Sequence, residues 1–390
     1  ALMLRHLALA FLLLTLSACA TDTPLDFACS RIDDFRTALP VTPLGSARVE
    51  GDDPLSRRIG DAFVGPAGGV ARPGPPNVLI LSGGGQWGAY GAGLLKGWSA
   101  QSGPNARPDF NVVTGVSTGA LQATYAFLGR DAPLVEAYSI DDEKELVDRH
   151  GGLFFLSHGS SADLAPLRDV VLGLADKALL ADVAREGGKG RLLLVGAVDA
   201  LDGRMYALDL TAIAQDPALS DDERRQCYAG AIIASAAIPL VFRQVTIGGV
   251  PYYDGGVRNS VFVSGLQAAT ARALAARGLA DAPAGVYILV NGVPGVTPKP
   301  AVKAALLPTL GRLKAITFDQ IEQDSIFAAH FAAQQRYGTR AVTYTASALG
   351  HGCPPAADDT IFDPGFMACL IRRGEAAWAQ GSPWKAYPKP

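Results

Sequence analysis

The side chain best placed by the sequence for nucleophilic chemistry is Ser117, in the pentapeptide Gly115-Val-Ser-Thr-Gly119. An apolar run at 110–114 precedes it, and a helix-compatible stretch at 120–128 follows it. A G-x-S-x-G between a strand and a helix is typical of a nucleophile elbow, a sharp turn that exposes the serine hydroxyl while glycines leave room around it. The sequence therefore predicts Ser117 as a nucleophile, with Gly115 and Gly119 as supporting glycines.

A second glycine cluster reads Gly83-Gly84-Gly85-Gln-Trp-Gly88, between a strand-like run at 77–82 and a helix-compatible run at 89–99. Successive backbone N–H groups without side chains, at the start of a helix, form an anion site. Beside a nucleophilic serine, that anion would be the oxyanion of a tetrahedral acyl intermediate. We therefore predict an oxyanion hole at Gly83, Gly84 and Gly85, supported by Gly88.

The same cluster also fits the dinucleotide-binding fingerprint G-x-G-x-x-G. That fingerprint needs an acidic residue at the end of the next strand, about twenty residues further on. Asp109, the nearest acidic candidate, lies before the next strand and not after it. The oxyanion interpretation is therefore favoured over nucleotide binding.

The third cluster, Asp254-Gly255-Gly256, follows a segment at 244–253 that contains Gly248-Gly249. The pattern predicts a hairpin: a strand to Ile247, a Gly-Gly turn, and a return strand that ends at Asp254. An Asp-Gly pair is commonly only a turn. Beside an exposed serine and an anion loop, a carboxylate that accepts the serine proton is the better interpretation.

These motifs, in this order, make the chain resemble the patatin-like phospholipase family. The segments 161–168 and 234–239, with Phe242, Asn259, Phe362-Asp363, Met367, Leu370 and Gly374, resemble it too, so the likeness covers roughly residues 76–380. The resemblance implies a three-layer α/β fold and hydrolysis of acyl-lipid esters by a Ser117–Asp254 dyad, without a cofactor. One position departs from the family: Trp87 stands where Arg or Lys is usual, which leaves the head-group preference open.

Two other functions remain open. An α/β-hydrolase triad has the order Ser, Asp, His, which Ser117 and Asp254 with His351 or His330 would satisfy. Against it, the family resemblance implies no catalytic histidine. The second alternative is a lipoprotein that binds lipid on this scaffold without turnover, since a fold alone does not imply activity.

The N-terminal segment has Arg5, a nearly continuous apolar run at 7–18, and then Cys19. Such a run is too short to span a bilayer and has the size of a signal-peptide core. We expect residues 1–18 to be a signal peptide and Cys19 to be lipidated, the alternative being an ordinary signal peptide with a chance cysteine. The expected location is the cell envelope, at an outer membrane facing the periplasm. The domain boundaries predicted from this are a tether and N-terminal wrap at 19–75, a catalytic domain at 76–380 and a tail at 381–390.

The composition limits the remaining possibilities. With 34 basic and 37 acidic side chains and no basic stripe, nucleic-acid binding is not expected. The expected partners are a membrane and an acyl-ester lipid substrate. Besides Cys19, the chain has Cys29, Cys227, Cys353 and Cys369. Four cysteines permit two disulfides in three pairings, with free buried thiols as the alternative. No metal-binding motif is present, so no metal is expected.

Strand and helix patterns alternate from residue 76 onward, and the chain is 49% hydrophobic. This alternation predicts one α/β domain with a mostly parallel sheet covered by helices on both faces. The predicted strands are 77–82, 110–114, 191–198, 244–253, 285–291 and 341–346. The predicted helices are 89–99, 120–129, 165–180, 222–234, 261–277, 302–336 and 364–379, with a further helix near 29–38.

Overall fold

The computed structural model describes residues 25–39, 54–64, 76–151, 155, 159–262, 284–296, 298, 304–337, 341–357 and 360–386. The expected signal peptide at 1–18, the lipidation site Cys19 and nearly all of the predicted helix 261–277 lie outside the described residues, and they stay predictions. Within the described residues, no helix is both long enough and apolar enough to cross a bilayer.

Short strands and helices alternate along most of the described chain. The strands are β1 Leu25–Phe27, β2 Arg36–Ala38, β3 Asn77–Leu81, β4 Val112–Val116, β5 Asp148–Arg149, β6 Ala162–Asp163, β7 Leu192–Asp199, β8 Met205–Asp209, β9 Val245–Ile247, β10 Val250–Asp254, β11 Ala284–Val290, β12 Ala341–Ser347 and β13 Lys385–Ala386. The α-helices are α1 Ile32–Phe35, α2 Pro54–Val64, α3 Gly88–Ser99, α4 Thr118–Leu128, α5 Asp131–Tyr138, α6 Ala165–Leu174, α7 Lys177–Gly188, α8 Leu210–Gln215, α9 Asp221–Ser235, α10 Leu306–Tyr337 and α11 Pro364–Ala376.

The main sheet has the strand order β1-β9-β10-β7-β4-β3-β11-β12-β13, and β8 and β2 join it beside β7. The central strands β7, β4, β3, β11 and β12 are parallel to one another. On either side of this centre the strands pair in an antiparallel way: β10 with β7 and β9, β8 with β7, and β13 with β12. The predicted fold class, a mostly parallel α/β sheet flanked by helices, is confirmed.

Each face of the sheet packs against helices, which gives the three layers. On β3, Leu79 and Leu81 belong to a core that includes residues of α3, α4, α9 and α11. Val78 and Ile80, on the opposite face, belong to a second core with residues of α2 and α10. Successive side chains of a strand point to opposite faces, so a strand that is apolar at every position needs both faces covered.

Some residues before the predicted boundary at 76, in the segment expected to be a tether and N-terminal wrap, belong to the sheet. Strand β1 pairs with β9 and β2 pairs with β8, so part of the expected tether is built into the domain. The short α1 stands where a helix near 29–38 was expected, and α2, which was not predicted, buries Ile59 and Phe63. In the expected C-terminal tail, β13 pairs with β12 and Trp384 is buried.

One predicted helix, 165–180, is two helices in the structure. Asp176 accepts a hydrogen bond from the Leu179 N–H and so caps a new helix, α7, directly after α6 ends. An aspartate in this capping position satisfies N–H groups that a continuous helix would satisfy with its own carbonyls. The remaining strands and helices predicted for the described residues after 76 are present within a few residues of their expected bounds.

All four cysteines of the described residues are oxidised. Cys29 is bonded to Cys227, and Cys353 is bonded to Cys369. This selects one of the three pairings that the sequence allowed and excludes the free-thiol alternative for these residues.

Candidate active site

The register of two strands along β7 brings Ser117 and Asp254 together. Strand β4 runs parallel to β7 and ends with Val116 opposite Gly196. Strand β10 then pairs with the next part of the same strand, and its last residue, Asp254, lies opposite Ala197. Ser117 follows Val116 directly, so Ser117 and the Asp254 carboxylate occupy neighbouring positions at the end of β4.

Ser117 has a backbone conformation that non-glycine residues rarely adopt, with φ 54° and ψ −124°. Its N–H donates a hydrogen bond to Ser235 Oγ at 3.0 Å, and Ser235 Oγ donates to the Gly196 carbonyl at 2.6 Å. A strained turn of this kind persists only where its surroundings fix it, and such strain concentrates at functional sites. The predicted nucleophile elbow is therefore present, and Ser235 holds it.

Asp254 is almost completely buried, at 1% exposure. Its Oδ1 accepts the Gly256 N–H at 2.6 Å, while Oδ2 is buried without an ordinary hydrogen bond. Burial raises the pKa of Asp254 to about 7, even though the Ser117 hydroxyl and the Gly256 N–H act to lower it. The Ser117 hydroxyl thus acts on the carboxylate from close range, although the two do not form a hydrogen bond of normal geometry.

In the glycine loop, Gly83 differs from the prediction. Its N–H already donates to the Ser260 carbonyl at 3.1 Å and to Ser260 Oγ at 3.2 Å, so it is not a free oxyanion donor. Among the described residues, the N–H groups of Gly84 and Gly85 have no such acceptor. Gly84 has φ +146°, and a Cβ there would lie 1.7 Å from the Asn291 carbonyl oxygen.

The supporting glycines of the three motifs allow close packing around the elbow. A Cβ added at Gly88, Gly115, Gly119 or Gly255 would come within 2.1–2.4 Å of an atom of another residue. The atom that Gly119 approaches is the Leu81 carbonyl oxygen, and the one that Gly255 approaches is the Gly196 carbonyl oxygen. At Gly256 a Cβ would lie 3.0 Å from Asp254 Oδ1. These approaches bring the three motif loops into contact.

A buried polar network joins the glycine loop to α10. Ser82 Oγ and Ser260 Oγ donate to Glu322 Oε1 at 3.1 and 3.3 Å. Burial raises the pKa of Glu322, the two serine hydroxyls lower it and the nearby charge of Asp319 raises it, and the net result is a pKa of about 7. Ser82 Oγ also donates to the Gly83 carbonyl. The position of the glycine loop therefore depends on a carboxyl group from a distant helix.

Two cavities meet at Ser117. One, of about 740 Å³ including space open to solvent, is lined almost entirely by apolar side chains, with Ser117, Thr118 and Gly85 at one part of its wall. Its other walls include Leu121, Leu167 and Val171. The second cavity, of about 1740 Å³ including space open to solvent, contains Gly83–Trp87, Ser117 and Asp254, with Lys314 and Glu322 from α10. We call the second one the mouth.

The histidines of the alternative triad lie elsewhere. His330 Nε2 is 2.9 Å from Thr345 Oγ1, and burial lowers the pKa of His330 to about 4. His351 packs edge-on against Trp87, and its Nδ1 accepts the Cys353 N–H. Neither lines the cavities that open at Ser117. The structure therefore gives the Ser117–Asp254–His alternative no support from either histidine.

Several residues of the site were not predicted from the sequence. Ser235 lies in the segment 234–239, which the sequence marks only as a family likeness. Ser260, Asn291 and Glu322 carry no motif, and they reach the loop only through long-range folding. No group of three or more His, Cys, Asp or Glu side chains among the described residues could hold a metal ion.

The comparison with protein families agrees with this geometry. The family model of the patatin-like phospholipases matches residues 79–266, which include all three glycine motifs. The match supports the patatin-like phospholipase family. Among solved structures, the chain matches VipD from Legionella pneumophila at 14% identity, with a TM-score of 0.37 over 81% of this chain and 68% of that chain. No curated protein matches the chain.

Proposed function

We propose that the protein is a serine lipid acyl hydrolase that cleaves carboxylic esters of phospholipids or other acyl lipids. The observation that carries the proposal is the adjacency of Ser117 and Asp254 along β7, at the end of an apolar cavity. A hydroxyl that lines a cavity beside a buried carboxylate is the minimum arrangement for nucleophilic catalysis with general-base assistance.

In the proposed first half-reaction, Asp254 accepts the Ser117 proton as Oγ attacks the ester carbonyl. The free Asp254 Oδ2 is the atom suited to take that proton, since Oδ1 is held by Gly256. The N–H groups of Gly84 and Gly85 are the proposed donors to the oxyanion, because neither donates to another acceptor among the described residues. Asp254 then returns the proton to the alcohol oxygen, which leaves as the C–O bond breaks and an acyl-enzyme remains.

In the second half-reaction, a water molecule replaces the alcohol. Asp254 accepts a proton from the water as its oxygen attacks the acyl-enzyme, and Ser117 leaves with that proton. A carboxyl group with a pKa of about 7 suits both directions of transfer near neutral pH. The apolar cavity suits the acyl chain, and the mouth suits the alcohol part of the lipid.

A fluorophosphonate probe and a chromogenic uncharged ester test the proposal. We expect the probe to label Ser117, and Ser117→Ala to lose both labelling and hydrolysis. Asp254→Asn should lower kcat by about 10²–10⁴-fold, the range typical of general-base catalysis. The double variant should be little worse than either single one, because residues that act as a unit are not additive.

Ser161→Ala is the matched control, because Ser161 lines the mouth without reaching Asp254. It should keep labelling and turnover. Labelling of a serine other than Ser117, or full activity of Asp254→Asn, would contradict the dyad. If the protein binds lipid but cleaves no ester, it is a non-catalytic lipoprotein and the proposed hydrolase activity is wrong.

Attachment to a membrane through lipidated Cys19, at an outer membrane facing the periplasm, stays a prediction from the sequence. The two disulfides support an oxidising compartment. Mass spectrometry of the mature N-terminus tests the predicted lipidation, and an unmodified Cys19 would refute the membrane anchor.

A further inference from the structure

Lys314 projects into the mouth from α10. It lines the same cavity as Ser117, Asp254 and the glycine loop, and it also borders a neighbouring cavity lined by His150, Phe155 and Leu240. Its side chain is only partly exposed. The position places an ammonium group where the alcohol part of a substrate would lie.

Within the described part of the chain, Lys314 has neither an ion pair nor a hydrogen bond. Burial lowers the pKa of Lys314, and no carboxylate opposes this effect. A lysine that loses solvent without gaining a partner is destabilised in its charged form. An anionic group from outside the chain would remove this cost.

The neighbouring acidic groups of the mouth have other partners. Asp319 accepts the Gly295 N–H at 2.9 Å, and Glu322 accepts hydrogen bonds from Ser82 and Ser260. The glycine loop at 83–88 contributes no cation, because it contains no Lys or Arg, and the ring of Trp87 packs on Phe366 and His351. Lys314 thus supplies from α10 a positive charge that the loop lacks.

We propose that Lys314 binds the phosphate group of a phosphorylated acyl lipid in the mouth, and so makes the enzyme prefer phosphate-bearing lipids over uncharged acylglycerols. The proposal rests on the proposed function, because it concerns the substrate of the same site. A point charge with three rotatable donors suits a phosphate whose orientation changes with the bound lipid. Lys314 is a specificity-determining residue in this scheme and takes no part in bond breaking.

The test compares dihexanoylphosphatidic acid with dihexanoylglycerol, both as dispersed monomers so that attraction to a lipid surface plays no part. Lys314→Met should lower kcat/KM for the phosphatidic acid by about 10–100-fold, the usual range for losing a charge-assisted hydrogen bond. Most of that change should be in KM. Hydrolysis of dihexanoylglycerol should change little.

Two variants serve as controls. Lys314→Arg keeps the charge and should retain most of the preference. Lys177→Met removes a charge of the same sign from the exposed side of α7, where Lys177 pairs with Asp221, and should leave both substrates unaffected. Thermal melting of each variant shows whether the fold is intact.

The remaining outcomes separate the alternatives. If Lys314→Met lowers kcat equally on both lipids, Lys314 acts on the reaction in general and the proposal is wrong. If inorganic phosphate inhibits hydrolysis of the uncharged ester through Lys314 while the lipid preference is unchanged, the ligand is free phosphate and the lipid assignment fails. If dihexanoylglycerol is cleaved by Ser117 but no preference depends on Lys314, only this inference fails. If neither lipid is cleaved, the proposed function fails with it.

Discussion

Asp254 can act as a base only while its carboxyl group is ionised, and burial raises its pKa to about 7. We therefore expect kcat/KM for an uncharged ester to rise with pH and to reach half of its maximum near pH 7. Below that pH the carboxyl group is protonated and cannot accept the Ser117 proton. Initial rates at low substrate concentration, measured from about pH 5 to about pH 9, report the pKa of the free enzyme.

Glu322 provides the control for this measurement, since burial also raises its pKa to about 7. Glu322→Gln keeps a side-chain oxygen that can accept hydrogen bonds from Ser82 and Ser260 but cannot titrate. The rising limb should persist in Glu322→Gln. If the limb disappears in that variant, the titration belongs to Glu322, and the assignment of Asp254 as the titrating base is wrong.

The same burial has a cost for the folded state. The pKa of Asp254 rises from 3.8 in the unfolded reference to about 7, so the unfolded chain releases this proton at lower pH than the folded chain does. As pH rises through that interval, the folded state binds more protons than the unfolded state, and stability falls. Asp254 therefore destabilises the fold at the pH where its carboxyl group is ionised, as the strained backbone of Ser117 does at any pH.

At the scale of elements, the glycine loop is fixed by contact with the end of β11. A Cβ at Gly84 would lie 1.7 Å from the Asn291 carbonyl oxygen, which is backbone and cannot give way easily. We expect Gly84→Ala to displace the loop and to lower kcat for an uncharged ester by about 10²–10³-fold, with a smaller effect on KM, because the donors act on charge that forms in the transition state.

Gly103→Ala is the matched control for the backbone strain alone. Gly103 also has a positive φ, of 62°, but a Cβ there would meet nothing within 4 Å, and it lies outside the cavities that contain Ser117. It should lose some stability and no activity. Equal loss of activity in the two variants would mean that the contact with Asn291 does not hold the loop.

The elements show which parts of the site a sequence can reveal. Ser117, Asp254 and the glycine loop were predictable because turns and close approaches demand particular residue types at fixed spacing. The order of strands was not, since β10 reaches Ser117 only by pairing with β7 beyond the end of β4. The partner of the Gly83 N–H, Ser260, comes from the segment after β10. Glu322 and Lys314 reach the site only through the docking of α10, for which no local pattern exists.

At the scale of the whole molecule, the N-terminal segment is bonded covalently to the helix layer that supports Ser117. Cys29 follows β1, and its partner Cys227 lies in α9, the helix that ends at Ser235. Ser235 in turn accepts the Ser117 N–H. The bond therefore links the edge of the sheet to the helix behind the elbow, across 198 residues of chain.

This long loop predicts different costs for losing the two disulfides. The Cys29–Cys227 bond closes a loop of 198 residues, and the Cys353–Cys369 bond closes a loop of 16 residues. Because a crosslink restricts the unfolded chain more when its loop is longer, the double variant Cys29→Ser/Cys227→Ser should lose about 5 kcal/mol of unfolding free energy, against about 3 kcal/mol for Cys353→Ser/Cys369→Ser. Denaturant unfolding measures both values. A larger loss of unfolding free energy in Cys353→Ser/Cys369→Ser would show that native packing, and not the unfolded chain, decides the cost. Both double variants should hydrolyse an uncharged ester at the normal rate when they are assayed at a temperature where they are folded.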